Sequence, residues 1–267
     1  IWIRSLGIYN SAQQAWDHLS VPARQSVTSY VAGINYWITQ QRVHPAEFAL
    51  LGIEPQQWTE LDTIAWVKMF ALNLAGNMDD EITNYVAAQS LPKDKLTQLF
   101  GEKAQKFDVA DPASTNTKQA AMVLDHVWAW NQQVTQQLNV GGKYVGSNAW
   151  VVSGKHTKDN KPILAIDPHL NLQIPSFWYA ISQQGEQLFS KGMGLTGTPL
   201  VIFGQNREIS WGGTNMMADV QDLYFETLTI NRKGEYSDEG QWLNLIERVE
   251  TIHVRADIPE FLNKKIK

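Results

Sequence analysis

The sequence predicts an α+β protein with a helical first half and a β-rich second half. Two observations carry this. Apolar residues recur at helical spacing as far as Leu138, and from Tyr144 onward short runs of β-branched and aromatic residues, separated by turn residues, take over. Helices first and strands second is the pattern of segregated layers. No internal repeat or low-complexity tract breaks it.

The elements follow in order. Val27, Tyr30, Val31, Ile34 and Ile38 fall on one helical face. Thr59 followed by Asp62 has the form of a capping box, so a helix starts there and runs towards Gly76-Asn77. A further helix is predicted over Asp80–Gln89, ended by Leu91-Pro92. Residues Gly101–Lys118 are polar and carry Asp111-Pro112, the composition of a surface loop or linker. Leu124, Val127, Trp128, Val134 and Leu138 predict one more helix, stopped at Gly141-Gly142. Strands are predicted at Ala149–Ser153, Ile163–Ile166, Phe177–Gln183, Gln187–Ser190, Leu200–Phe203, Glu208–Gly212, Leu223–Ile230 and Arg248–Val254.

Composition narrows the functional classes. With 22 basic and 27 acidic residues the formal net charge is −5, and the only basic run is Lys264-Lys265-Ile266-Lys267. A nucleic-acid partner, which needs a clustered positive surface, is not expected. The longest apolar stretch, Ile64–Gly76, contains Lys68 and is too short to span a bilayer, so no membrane partner is expected. The absence of cysteine excludes disulfides, zinc–thiolate sites and thiol catalysis. Eleven tryptophans suit deep pockets or thick layer interfaces. The chain opens on Ile and ends on a polar tail, and is read as a piece of a longer protein.

The junction of the two halves is Tyr144-Val145-Gly146-Ser147-Asn148-Ala149-Trp150. Alone, Gly-Ser before a strand is a turn feeding that strand. Its neighbours change this. Gly146–Gly154 resembles the start of the β-subunit in the penicillin acylase family of N-terminal-nucleophile hydrolases. Ile166-Asp167-Pro168-His169-Leu170, Phe203-Gly204-Gln205-Asn206, Ser210-Trp211-Gly212 and Asp219–Tyr224 resemble the family's next motifs, in order and in spacing. Upstream, Gly76–Glu81 resembles the motif near the end of the α-subunit. The resemblance covers Trp58–Ile230.

The resemblance implies a four-layer αββα sandwich, of which this chain holds part. Residues 1–119 would be the C-terminal part of the helical α-subunit, 120–146 a spacer whose start is uncertain, and 147–267 the N-terminal part of the β-subunit. It implies a chain that cuts itself between Gly146 and Ser147, giving an α/β heterodimer from one precursor, exported to the bacterial periplasm. The substrate implied is a small N-acyl amide, such as an acyl-homoserine lactone or a β-lactam side chain. Elementary chemistry fits. A serine hydroxyl needs a base, and an N-terminal serine carries one in its α-amine, whose ordinary pKa is about 7.7–8.0.

Residue roles carry over from the same resemblance. Ser147 is the nucleophile. His169, 22 residues later, is expected beside its amine and hydroxyl. A His there leans towards the acyl-homoserine-lactone and glutaryl-cephalosporin acylases, and away from the penicillin G branch, which has Gln. The backbone N–H of Asn215 is implied in the oxyanion hole, where one such donor is worth roughly 3 kcal/mol. Leu170, Phe203 and Ala75 match acyl-pocket positions. Glu81, Asp219 and Asp222 match ligands of a structural calcium ion, and oxygen-only donors suit that hard cation. No organic cofactor is implied.

Residue by residue, blander readings stay open: a histidine satisfied in a turn, core packing for Leu170 and Phe203, a solvated acidic turn for Asp219 and Asp222. Two other functions also fit the chain. One is a non-catalytic family member that stays uncut. The other, weaker, is a Ser-His-Asp hydrolase, which lacks the Gly-x-Ser-x-Gly elbow around Ser147.

Overall fold

The computed structural model describes residues 2–75, 77–101, 124–133, 146–170, 172, 174–186, 188–216, 218, 220, 223–224, 231–238, 240–249 and 251. The protein is α+β: helices in the first half and small antiparallel sheets in the second. It divides into two compact units, Ile8–Leu223 and a smaller one formed by Ile1–Gly7 with Tyr224–Lys267.

The helices of the larger unit are α2 (Ile8–His18), α3 (Val21–Gln40), α4 (Ala46–Leu51), α5 (Glu60–Leu74), α6 (Asn77–Ser90), α7 (Lys93–Phe100) and α8 (residues 124–133). The predicted capping box opens α5. The Asp62 amide donates to Thr59 Oγ1 at 3.2 Å, and the Thr59 amide donates back to the Asp62 carboxylate at 2.7 Å. Asn35 of α3 bonds both the N–H and the carbonyl of Trp58, each at 2.8 Å, and so fixes the chain one residue before the cap. Helix α6 begins at Asn77, three residues before the predicted start. Three helices of this unit were not predicted: α2, α4 and α7. Helix α7 is set by Pro92 at its N-cap and by Leu96, 3% exposed.

Strands β1 (Gly146–Val152) and β2 (Ile163–His169) form a hairpin. Strands β3 (Trp178–Gln184), β4 (Phe189–Leu195), β5 (Val201–Gln205) and β6 (Ser210–Trp211) form an antiparallel sheet in chain order. Strand β4 runs five residues past the predicted Ser190, through Gly192 and Gly194. Glycines weaken a strand signal, yet Gly192 is required here. Gly192 has φ +155°, and a Cβ on it would run into the Phe203 carbonyl and the Gly204 backbone of β5.

Helix α5 meets this sheet through aromatic rings. Phe70 stands edge-on to Trp178 at 5.8 Å and to Phe177 at 6.1 Å, and Trp178 lies 5.3 Å from Phe203. Each such pair adds about 0.5–1.5 kcal/mol beyond its buried area. The β4–β5 turn is fastened to α3 and α5. The Gly197 amide donates to the Tyr30 hydroxyl at 3.2 Å, and Gly197 has φ +96° under the Trp66 ring.

The smaller unit carries α1 (Trp2–Ser5) and a hairpin of β7 (Glu235–Asp238) and β8 (Gln241–Asn244), which was not predicted. Arg232 bonds Glu235 at 3.3 Å and covers the Trp242 ring. Of the strand predicted over Leu223–Ile230, Leu223 and Tyr224 are not in a strand and 225–230 lie outside the described residues. The same holds for Arg248–Val254, of which Arg248, Val249 and Thr251 are described and carry no strand. No helix among the described residues is long and apolar enough to cross a membrane.

Candidate active site

The β1–β2 hairpin organises the site. Its register pairs Gly146 with His169, Ser147 with Pro168, Asn148 with Asp167 and Ala149 with Ile166. Side chains alternate along a strand, and paired residues share a face. Ser147, Ala149 and Val151 therefore share one face with Pro168, Ile166 and Leu164. That face is the half-buried one on β2. Ile166 packs against Gly212, just after β6.

Ser147 is half-buried at the end of β1, and its hydroxyl donates to the Gly146 carbonyl oxygen at 2.6 Å. The oxygen expected to attack is thus held at the carbonyl it would attack. Gly146 itself is in regular strand backbone, and a Cβ on it would meet nothing within 4 Å.

His169 lies on the opposite face, directly across from Gly146. Its Nε2 lies 2.8 Å from Asp167 Oδ2, a side chain two positions along the same exposed edge. The structure brings His169 to the carboxylate of Asp167 and, in the uncut chain, leaves the Ser147 hydroxyl on Gly146. Asp167 was not singled out from the sequence. The signal was present, because Asp-x-His on a strand sets both side chains on one face.

Two apolar cavities adjoin the Ser147 face. One, of about 810 Å³, lies between β2 and the four-stranded sheet and includes Phe203 and Trp211 in its lining. The other, of about 520 Å³, is an open depression beside Leu170 and Phe177, rimmed by the fully exposed Leu172 and Ile174. Pro168 and Trp178 line both, so the residue paired with Ser147 sits at their shared wall. Leu170 and Phe203 therefore serve neighbouring cavities, bridged by a Trp178 that sequence reasoning missed.

Asn215 follows β6. Its side-chain amide donates to the Leu74 carbonyl, the last in α5, at 2.8 Å. Ala75, the next residue, is 8% exposed. The structure thus brings Asn215 to the end of the helix that leads into Ala75. The sequence suggested a role for the Asn215 backbone only; its side chain is the anchor.

Glu81 on α6 accepts a hydrogen bond from the Leu223 amide at 3.1 Å. This ties α6 to the chain one residue after Asp222. Asp219 and Asp222 lie outside the described residues. Glu81 suits calcium in donor type, a carboxylate oxygen. Among the described residues, no group of three His, Asp or Glu side chains is gathered for a metal.

Comparison with known proteins places the sequence in a family. Residues 1–264 match the family described as penicillin amidase. The acyl-homoserine lactone acylase QuiP of Pseudomonas aeruginosa is 26% identical over 97% of the chain and 31% of its own length. The penicillin acylase 2 proenzyme of Pseudomonas sp. (strain SE83) is 25% identical over 96% of the chain and 33% of its own length. The penicillin G acylase of Escherichia coli is 32% identical over 41% of the chain and 13% of its own length. The chain spans about a third of the length of the first two relatives. The match across nearly the whole sequence makes this chain a member of the penicillin amidase family.

Proposed function

We propose that the full-length protein is an amide hydrolase that frees its own nucleophile between Gly146 and Ser147 and then cleaves N-acyl amides through an ester on Ser147. The carrying observation is the 2.6 Å hydrogen bond from the Ser147 hydroxyl to the Gly146 carbonyl. In the first stage Oγ adds to the Gly146 carbonyl carbon and gives up its proton. The Gly146–Ser147 C–N bond then breaks, leaving an ester and a free amine on Ser147. Water opens the ester. In the second stage the amine takes the hydroxyl proton, Oγ attacks the substrate acyl carbon, and the leaving amine departs with that proton. Water then releases the acid.

His169 is the proposed neighbour of the new amine. Gly146 is the residue paired with it, so the cut removes that partner and leaves the amine of residue 147 as the adjoining group. Asp167 would hold the imidazole through Nε2, which leaves Nδ1 to accept. The backbone N–H of Asn215 is the proposed oxyanion donor. The cavities behind Pro168 would take an apolar acyl group, with an acyl-homoserine lactone or a β-lactam as the rest of the substrate, in keeping with the relatives' names.

By the same family membership we assign the mature protein an α/β heterodimer in the four-layer sandwich, working in the periplasm. Glu81, Asp219 and Asp222 are its proposed calcium ligands. A non-catalytic, uncut protein is the alternative. Intact mass of the purified full-length product decides: two chains, one opening at Ser147, support cleavage. A Ser147→Ala protein should remain one chain and release no amine from N-acyl substrates. Amine release by that variant would overturn the proposal.

A further inference from the structure

Helix α8, in the expected spacer, is hydrogen-bonded to the Asp79 carboxylate of α6. Asp79 Oδ2 accepts from Gln132 Nε2 at 2.6 Å, and Asp79 Oδ1 accepts from Asn131 Nδ2 at 3.2 Å. Among the described residues of α8, Leu124 is buried, while Trp128 and Trp130 are 44% and 38% exposed.

We infer that Asp79 is the docking carboxylate for the linker helix: it positions α8 while the chain is uncut. The inference rests on the proposed cut at Gly146–Ser147. Twelve residues, 134–145, separate α8 from Gly146. Fixing the far end of that segment reduces the conformations from which Gly146 must find its place before the Ser147 hydroxyl. Two residues along α6, Glu81 holds Leu223. The same turn of helix thus grips both the linker and the chain downstream of the nucleophile. Asp79 is a positioning residue, touching neither substrate nor the reacting atoms.

The test uses full-length precursor and follows its conversion to two chains. Gln132→Glu sets a second carboxylate against Asp79 and should slow conversion by about 3–10-fold. Adding Asp79→Asn restores a donor–acceptor pair and should recover the wild-type rate within about twofold. A purely structural Asp79 would not give that rescue. In the uncut Ser147→Ala background, hydrogen exchange over residues 124–133 should speed up with Gln132→Glu and slow again in the double variant. Unchanged conversion and unchanged exchange in Gln132→Glu would overturn the inference, as would a double variant no better than the single one. If wild-type protein is never cut, the proposed function fails, while the exchange comparison still decides the docking.

Discussion

The side-chain amide of Asn215 reaches 2.8 Å to the Leu74 carbonyl, fastening the loop after β6 to the end of α5. A helix's last carbonyls lack intrahelical partners, so this bond satisfies one of them and fixes the loop at the same time. Its consequence for the proposed chemistry is indirect: the backbone N–H of Asn215 points where the side chain lets it. Asn215→Ala should cost about 1 kcal/mol of stability. It should lower kcat by about tenfold with KM nearly unchanged, because a misplaced donor is lost mainly in the transition state. Steady-state kinetics of the processed enzyme check this. Unchanged kcat would remove Asn215 from the oxyanion proposal.

Gly146 and Ser147 should respond very differently to substitution. Gly146 suits a strained junction in principle, yet it sits in ordinary extended backbone with open space where a Cβ would be. Gly146→Ala should therefore still be cut, at a rate within about threefold of wild type. A time course of chain conversion measures it. A complete block in Gly146→Ala would mean that the attacking geometry differs from the one found here.

The Thr59–Asp62 cap was legible because it depends on two residues three apart and on local backbone alone. The β1–β2 hairpin was legible in part. The sequence predicted a strand from Ala149, and the structure starts it at Gly146, because pairing to Pro168 and His169 extends it by three residues. Trp178 was invisible as a site residue, since its role comes from Phe70 and Phe203, far away in sequence. The strand predicted to end at Ser190 runs on through Gly192, where β5 approaches too closely for a side chain. The identity of Ser147 as a candidate came from motif order, and its geometry came only from the fold.

The Tyr9–Asp62 hydrogen bond predicts a stability profile with losses at both pH extremes. Burial raises the Tyr9 pKa, and the Asp62 carboxylate raises it further, to about 12 from 10.0. Burial acts to raise Asp62 too, but the hydrogen bonds from Tyr9 and Thr59 outweigh it and hold Asp62 below its ordinary 3.8. The signs follow. Tyr9 keeps its proton longer when folded, so its contribution is complete below pH 10 and fades as pH rises towards 12. Asp62 stays charged to lower pH when folded, so its contribution is complete above pH 3.8 and fades as pH falls through its lowered value. Tyr9→Phe should flatten the alkaline loss and move the acid loss to higher pH. Denaturant melts across pH test this, and an unaltered profile would show that the bond does not form in solution.

Trp178 should separate packing from recognition. Its indole N–H is buried and has no hydrogen-bond partner among the described residues, so Phe can replace it without losing a bond. An unsatisfied donor is itself costly, about 1–3 kcal/mol, which offsets the smaller ring. Trp178→Phe is therefore expected within about 1 kcal/mol of wild type in stability. Trp178→Ala is a different case, because the ring is the shared wall of the 810 and 520 Å³ cavities and touches Phe70 and Phe203. Removing it joins the two spaces. If they hold the acyl group, kcat/KM for long or bulky acyl chains should rise relative to short ones, by about tenfold, the scale on which apolar pockets discriminate. The measurement is the ratio of kcat/KM over a series of acyl chain lengths in wild type, Trp178→Phe and Trp178→Ala. A ratio that stays constant while stability falls would leave Trp178 as a packing residue and would move the acyl group away from Leu170 and Phe203.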